Sequence, residues 1–168
     1  MNQFIIANLD QYLPTYKISL VRYGSRAEVD VPLTNKLKEL MEKLADVRKI
    51  GGERRIDEAL VKIKDEVFIT ETSNTVNAPS RQIVLFSQGA NDPLKSSELE
   101  NVLRDLKYNY DAKITYVGLG SDVPEDESTS ISSNKASRFI VPVERLPCIY
   151  DDLFKTTTQN AGMYLAFT

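Results

Sequence analysis

The chain has 168 residues, enough for one domain with a proper core and too short for two domains of ordinary size. Its hydrophobic content of 42% and charged content of 27% are those of a soluble globular protein, and a net charge of −3 gives no broad attraction to nucleic acid or anionic membranes. No apolar run approaches the roughly 20 residues that cross a bilayer, so we expect no membrane insertion.

The amino-terminal residues carry apolar side chains at helical spacing, and Pro14 ends that segment. They differ from a secretory signal, because no basic residue precedes the apolar patch Phe4 to Ala7 and Asn8 follows it directly. The protein is therefore expected to be cytosolic or to be a segment of a longer secreted precursor.

Two segments of alternating apolar and polar residues come next, Lys17 to Tyr23 and Ala27 to Val31. The Gly24-Ser25 turn separates them, so the pattern predicts an antiparallel hairpin. Residues 35–46 are predicted to be helical, with an apolar stripe formed by Leu37, Leu40, Met41 and Leu44. After the Gly51-Gly52 break, a second amphipathic helix is predicted from the spacing of Ile56, Ala59, Leu60, Ile63 and Val67.

The second half alternates strands with helices. Gln82 to Phe86 is almost wholly apolar, which is typical of a strand covered on both faces of a parallel sheet. A helix is predicted at Ser96–Tyr108 and a strand at Lys113–Gly120, and the polar segment Ser121–Ser137 contains at most a short helix. An edge strand containing Pro142 follows at Arg138–Val143, and the last helix is predicted at Leu146–Gln159. This order predicts an α/β fold, a doubly wound and mostly parallel sheet flanked by helices on both faces, in a single domain over residues 1–168.

Histidine is absent from the chain, and cysteine occurs once, at Cys148. Without imidazole there are no Ser-His or Cys-His nucleophile pairs and no histidine-ligated zinc, so we expect no enzyme and no cofactor. A single thiol cannot form an internal disulfide. Cys148 is expected to pack against a helix as a small apolar residue, with an intermolecular disulfide as the alternative.

Taken together, these segments resemble a von Willebrand factor A domain. Five blocks carry the resemblance, namely Tyr16–Gly24 (second strand), Gly51-Gly52 with Ala59-Leu60 (entry to the third helix), Ile83–Gly89 (fourth strand and its turn), Ile114–Gly120 (fifth strand) and Phe139–Leu153 (final strand and helix). The match covers nearly the whole chain. It implies a Rossmann-like fold and a role in protein binding.

That family has a metal-ion-dependent adhesion site at the carboxyl ends of its strands. Its ligands come from an Asp-x-Ser-x-Ser loop after the first strand, a Thr before the third helix and an Asp after the fourth strand, hard oxygen ligands that suit Mg²⁺ or Ca²⁺. Here the loop is absent from the amino-terminal side, and the Thr and Asp positions carry Arg54 and Gln88. Because a guanidinium repels a divalent cation, the resemblance implies a degenerate site that binds no metal. Asp92 lies close to the fourth-strand turn and could substitute as a ligand, although a surface turn is the preferred interpretation.

The family's first strand is central in its sheet, and the segment of this chain that resembles it comes last, in Met163, Tyr164, Leu165, Ala166 and Phe167. A sheet that lacks its middle strand leaves backbone groups unpaired at a cost of ~1–3 kcal/mol each. Residues 161–168 are therefore expected to complete the chain's own sheet, to complete the sheet of a neighbouring copy, or to belong to the next domain of a tandem array.

Three further groups of residues are candidate sites. Gly118-Leu119-Gly120 lacks the third glycine of a dinucleotide fingerprint. A solvated loop, rather than a Ca²⁺ site, is expected for the acidic residues Asp122, Glu125, Asp126 and Glu127. A solvated surface is expected for the basic residues Arg48, Lys49, Arg54 and Arg55, with the alternative hypothesis that Arg54 and Arg55 form a cationic patch that meets a partner's carboxylates.

The expected function is that of a non-enzymatic structural or adhesion module of extracellular matrix or a fibrous assembly. It acts through protein–protein contacts or self-association, as a homo-oligomer or a tandem array, without a working metal site. Protein-binding candidates are Arg54, Arg55, Gln88 and Asp92. The alternative is an intracellular scaffold of the same fold that binds a protein through the face around Arg54 and Gln88.

Overall fold

The computed structural model describes residues 17–46, 48, 50–68, 80–88, 96–121, 123–149, 152–153 and 162–167. The predicted amino-terminal helix, Asp92 and most of the predicted last helix lie outside these residues, as do Lys49 and Asp122. The side chains of Met163, Tyr164 and Phe167 are likewise outside the description.

Six strands form one sheet, and they are β1 (Lys17–Tyr23), β2 (Ala27–Thr34), β3 (Arg81–Ser87), β4 (Ala112–Leu119), β5 (Arg138–Val141) and β6 (Gly162–Phe167). Their spatial order is β2-β1-β6-β3-β4-β5. The β1–β2 pair is antiparallel, as the alternating pattern predicted, and the other neighbouring pairs are parallel. The predicted mostly parallel α/β sheet is confirmed.

The middle of this sheet is formed by β6. Leu165 lies opposite Leu20 of β1 and Val84 of β3, and both pairings are parallel. The side chains of Leu165 and Ala166 have no solvent exposure. The prediction of a strand at the carboxyl end is thus confirmed, and in this structure it is the chain's own strand that lies between β1 and β3.

Helices cover both faces of the sheet. They are α1 (Leu37–Asp46), α2 (Ile56–Lys62), which continues as a π-helical segment (Ile63–Phe68), α3 (Ser96–Tyr108) and α4 (Glu125–Ile131). Alternate residues of β3 enter two different cores, with Ile83 and Leu85 packed against the side of α2 and α3, and Val84 and Phe86 on the side of α1. The strand is therefore buried on both faces, as its continuous apolar sequence predicted. No helix among the described residues has the length and apolarity needed to cross a bilayer.

Two details differ from the sequence predictions. Met41 was placed on the apolar stripe of α1, but it is 41% exposed, and Leu40 and Leu44 make the buried contact. Cys148 was expected to pack against a helix, and that prediction is wrong, because the thiol is free and exposed. It lies in a 3₁₀ helix (Val143–Ile149) whose three-residue period turns Leu146 toward the core and Cys148 away from it.

Candidate functional site

The site is built at the carboxyl edge of the sheet. Tyr23 ends β1 and Ser87 ends β3, and the parallel pairing of both strands with β6 places these two residues at the same edge. The phenol of Tyr23 is fully buried and donates a hydrogen bond of 2.8 Å to the carbonyl oxygen of Phe86. This bond crosses over β6 and ties the end of β1 to the end of β3.

The loop before α2 is fixed above this edge by the β1–β2 turn. Ser25 N donates to the carbonyl oxygen of Gly51 (3.0 Å), and Arg55 N donates to that of Gly24 (2.9 Å). The approach requires glycine, because a Cβ on Gly24 would lie 2.9 Å from the Gly51 oxygen, inside van der Waals contact. The attachment brings Arg54, one residue before Arg55, over the end of β3.

Arg54 forms a buried bidentate ion pair with Glu127 of α4. Nη1 and Nη2 of the guanidinium lie 3.1 Å and 3.0 Å from Oε1 and Oε2 of the carboxylate. Nη1 also donates to the hydroxyl of Ser87, and the phenol of Tyr116 donates to Glu127 Oε1 at 2.7 Å. Only 12% of the Arg54 side chain and 4% of the Glu127 side chain are exposed. We call Arg54, Glu127, Ser87 and Tyr116 the edge network.

The electrostatics of the edge network fix its charge state. Burial lowers the pKa of Arg54, but hydrogen bonding and attraction to Glu127 outweigh burial and raise it, so the guanidinium stays a permanent cation. Burial, together with the hydrogen bond to Glu127, raises the pKa of Tyr116. Burial likewise raises the pKa of Tyr23. Both phenols are therefore hydrogen-bond donors at neutral pH.

The carboxylate of the edge network is already engaged by hydrogen bonds. Both oxygens of Glu127 already accept hydrogen bonds from Arg54, and the guanidinium charge repels a metal ion from the same space. Gln88, at the other position where the resemblance implies a ligand, is exposed directly after β3. Within the described ranges, no three carboxylate or thiol side chains come together as a ligand set.

Two expectations about charged residues require correction. Glu127 was expected in a solvated acidic loop, but it is a buried residue of α4. Arg54 was considered part of a partner-facing cationic patch, but its guanidinium is turned inward to Glu127. The physical reason is the same for both, because a guanidinium buried at the edge of the sheet is stable only when a buried carboxylate is paired with it. The signal in the sequence was the acidic group directly after β4, because β4 ends at the same edge as β3.

Arg55, by contrast, remains about one-third exposed, with 35% of its side chain accessible. It pairs with Asp57 at 2.8 Å and with Glu58 at 3.0 Å. Burial raises the pKa of Asp57, but the hydrogen bonds from Arg55 prevail and hold that pKa below its ordinary value. Arg55 also lines an open groove of about 740 Å³ beside α2 and α3, in which Tyr108 is 81% exposed.

Comparison with known proteins gives one family and several similar folds. The family model for the von Willebrand factor type A domain matches residues 1–152. Among curated protein sequences, none matches the chain.

Similar solved structures include proximal thread matrix protein 1 from the mussel byssus, with a TM-score of 0.74, 14% identity, and coverage of 89% of this chain and 39% of that protein. The same mussel protein with a zinc-occupied metal site gives a TM-score of 0.75 at 21% identity and covers 91% of this chain and 38% of that protein. The conserved hypothetical protein BatB from Bacteroides thetaiotaomicron gives 0.68 at 12% identity, covering 92% of this chain and 85% of that one. The chain thus spans about two fifths of the mussel protein, and these likenesses establish the fold.

Domains of this family are generally non-enzymatic protein-interaction modules. The matched region covers all the described elements except Leu153 and β6. The chain belongs to the von Willebrand factor type A domain family.

Proposed function

We propose that this chain is a structural or adhesion module of an extracellular matrix or fibrous assembly. It acts through protein–protein contacts or self-association, without a bound metal ion, a cofactor or catalytic activity. The observation that carries the proposal is the edge network, in which the guanidinium of Arg54 supplies the positive charge that a metal ion supplies in metal-binding relatives. The matrix setting draws on the mussel byssus protein, whose fold this chain shares. The location that corresponds to this role is extracellular, with the chain as a segment of a longer secreted protein.

The charge arrangement supports metal independence in two steps. The carboxylate that the edge network could offer to a metal ion is that of Glu127, and Glu127 is held by Arg54 and Tyr116. Releasing it would leave the Arg54 cation without its counter-charge in a site where only 12% of its side chain meets solvent. A metal would thus have to displace an internal cation that is covalently part of the protein.

Protein contacts are proposed for the exposed part of the same edge. Arg55 and Gln88 are accessible there, and Arg54 holds the surface in place from beneath. Asp92, which lies outside the described residues, remains a candidate by its place after the fourth-strand turn. Arg55 is paired with Asp57 and Glu58, so a partner's carboxylate would compete with these two for the guanidinium.

Light scattering over a concentration series tests the proposal, once in EDTA and once with Mg²⁺, Ca²⁺ or Zn²⁺. We expect the same self-association in all four conditions, and association that requires a metal would contradict the proposal. A second comparison uses Arg55→Glu, with Lys113→Glu as the matched control, because Lys113 is exposed near the start of β4, at the opposite edge of the sheet and away from β6. We expect weaker association only for Arg55→Glu, and equal effects of both variants would remove Arg55 from the contact.

A further inference from the structure

The central place of the sheet, between β1 and β3, is filled by residues outside the part of the chain that the family model matches. The match ends at residue 152, and β6 begins at Gly162. In the family this place belongs to a strand at the amino end of the domain. In this chain the matched domain and the strand that completes it are therefore separate segments of sequence.

The strand β6 pairs on both sides, with β1 and with β3, and we call the space between these two strands the slot. It pairs in parallel along its whole length with β1, from Gly162 to Phe167, and along most of it with β3. Its buried side chains enter both cores, Leu165 on the α1 side and Ala166 on the α2 side. Without it, the facing edges of β1 and β3 would be left with unpaired donors and acceptors in a dry interior. The slot thus requires an occupant with this direction and this alternation of side chains.

We propose that the slot between β1 and β3 is an interface through which copies of this chain join, each receiving residues 162–167 from a second copy. A second copy carries the identical strand, so it enters with the same register and restores the same hydrogen bonds. The exchanged and closed forms then contain the same sheet, and protein concentration shifts the balance between them. This contact is separate from the one proposed around Arg55, and it does not depend on how the edge network treats metals.

Cysteine pairs placed in register test the proposal, in a Cys148→Ser background that removes the exposed native thiol. Val21 of β1 and Ala166 of β6 are buried, lie in the same core and are directly opposite each other. Cysteine is close in size to both residues, and neighbouring strands lie about 4.8 Å apart, within the range of Cα separations that a disulfide spans. One copy carries Val21→Cys with a size tag, and the other carries Ala166→Cys.

The two copies are refolded together at high concentration, oxidised and separated by size without reductant. Exchange predicts a disulfide-linked pair of one tagged and one untagged chain. The matched control replaces Val21→Cys by Val117→Cys, which is equally buried but lies in β4, two strands away from β6. A single chain carrying both Val21→Cys and Ala166→Cys, refolded at high dilution, checks the register by closing internally.

A mixed disulfide well above the Val117→Cys control supports strand exchange. Its absence overturns the proposal, and internal closure of the double variant in the same experiment would then assign β6 to its own chain alone. Such a result leaves the metal-independent role standing, since that role is decided by light scattering with and without metal ions.

Discussion

The ion pair of the edge network yields the sharpest prediction about stability. We consider Arg54→Met, Glu127→Leu and the variant that carries both substitutions. Because 12% of Arg54 and 4% of Glu127 are exposed, each single variant leaves a buried charge without its partner. The expected loss in the free energy of unfolding is ~3–5 kcal/mol for each.

The double variant removes both charges and is expected to lose far less. An apolar pair of similar volume is often neutral in place of a buried ion pair, and the phenol of Tyr116, which donates to Glu127, loses its acceptor at a cost of ~1 kcal/mol. The two single losses add to ~6–10 kcal/mol, so the cycle should show a coupling energy above ~3 kcal/mol.

Urea unfolding followed by circular dichroism measures all four proteins. With a denaturant slope of ~2 kcal/mol/M, each single variant should lower the midpoint by roughly 1.5–2.5 M. The matched control is the cycle of Lys38→Met and Glu42→Leu, a pair whose side chains are 88% and 67% exposed and whose coupling should stay below ~1 kcal/mol. If the Arg54 and Glu127 losses simply add, the two side chains are not coupled in the folded protein, and the edge network does not hold them as an ion pair.

Three further predictions concern the turn, the strand end and the helix start. Tyr23→Phe removes the hydrogen bond to the end of β3 and should lower the free energy of unfolding by ~1 kcal/mol. Tyr108→Phe, at a side chain that is 81% exposed, should have no measurable effect in the same urea assay. Equal losses for the two variants would contradict a stabilising role of the Tyr23 hydrogen bond. Gly24→Ala places a methyl group against backbone oxygens and should lower the free energy of unfolding by ~1–3 kcal/mol. Gly51→Ala, with nothing within 4 Å of its added Cβ, should be tolerated. A greater loss for Gly51→Ala than for Gly24→Ala would contradict the packing of this loop against the β1–β2 turn. The pKa of Asp57 lies below its ordinary value of 3.8, so its ion pair stabilises the fold above that pH and loses this contribution as the pH falls further. Asp57→Asn should therefore be less stable than wild type at pH 7 and approach wild-type stability in acid. A difference in unfolding free energy that stays constant with pH would contradict this assignment.

The strands were predictable because their signals are local. The unbroken apolar sequence of β3 predicted burial on both faces, and the structure places alternate residues of that strand in the two cores. The alternation on either side of Gly24 predicted the hairpin for the same reason, since one residue in two must face the core. The central strand was found by its likeness to a family strand, combined with the requirement that a parallel sheet has no empty middle.

The edge network was not predictable in the same way. Arg54 and Glu127 are 73 residues apart in the chain, and neither helical nor strand periodicity relates them. The acidic residues after β4 have the composition of a solvated loop, and only the meeting of β3 and β4 at one edge selects Glu127 from among them. Cys148 was missed for a local reason, since the 3₁₀ geometry around Pro147 turns a small residue outward where an α-helix was expected.

At the carboxyl edge of the sheet, we propose that a side chain of the protein, and not a metal ion, provides the positive charge. Crystals soaked in a zinc salt and measured at the zinc absorption edge test it directly. Carboxylate oxygens bind zinc at ~2.0–2.2 Å, and we predict no anomalous peak at that distance from the carboxylate of Glu127. The Arg54 side chain should still be paired with that carboxylate. A zinc ion bound to Glu127 and Ser87, with Arg54 displaced toward solvent, would contradict it.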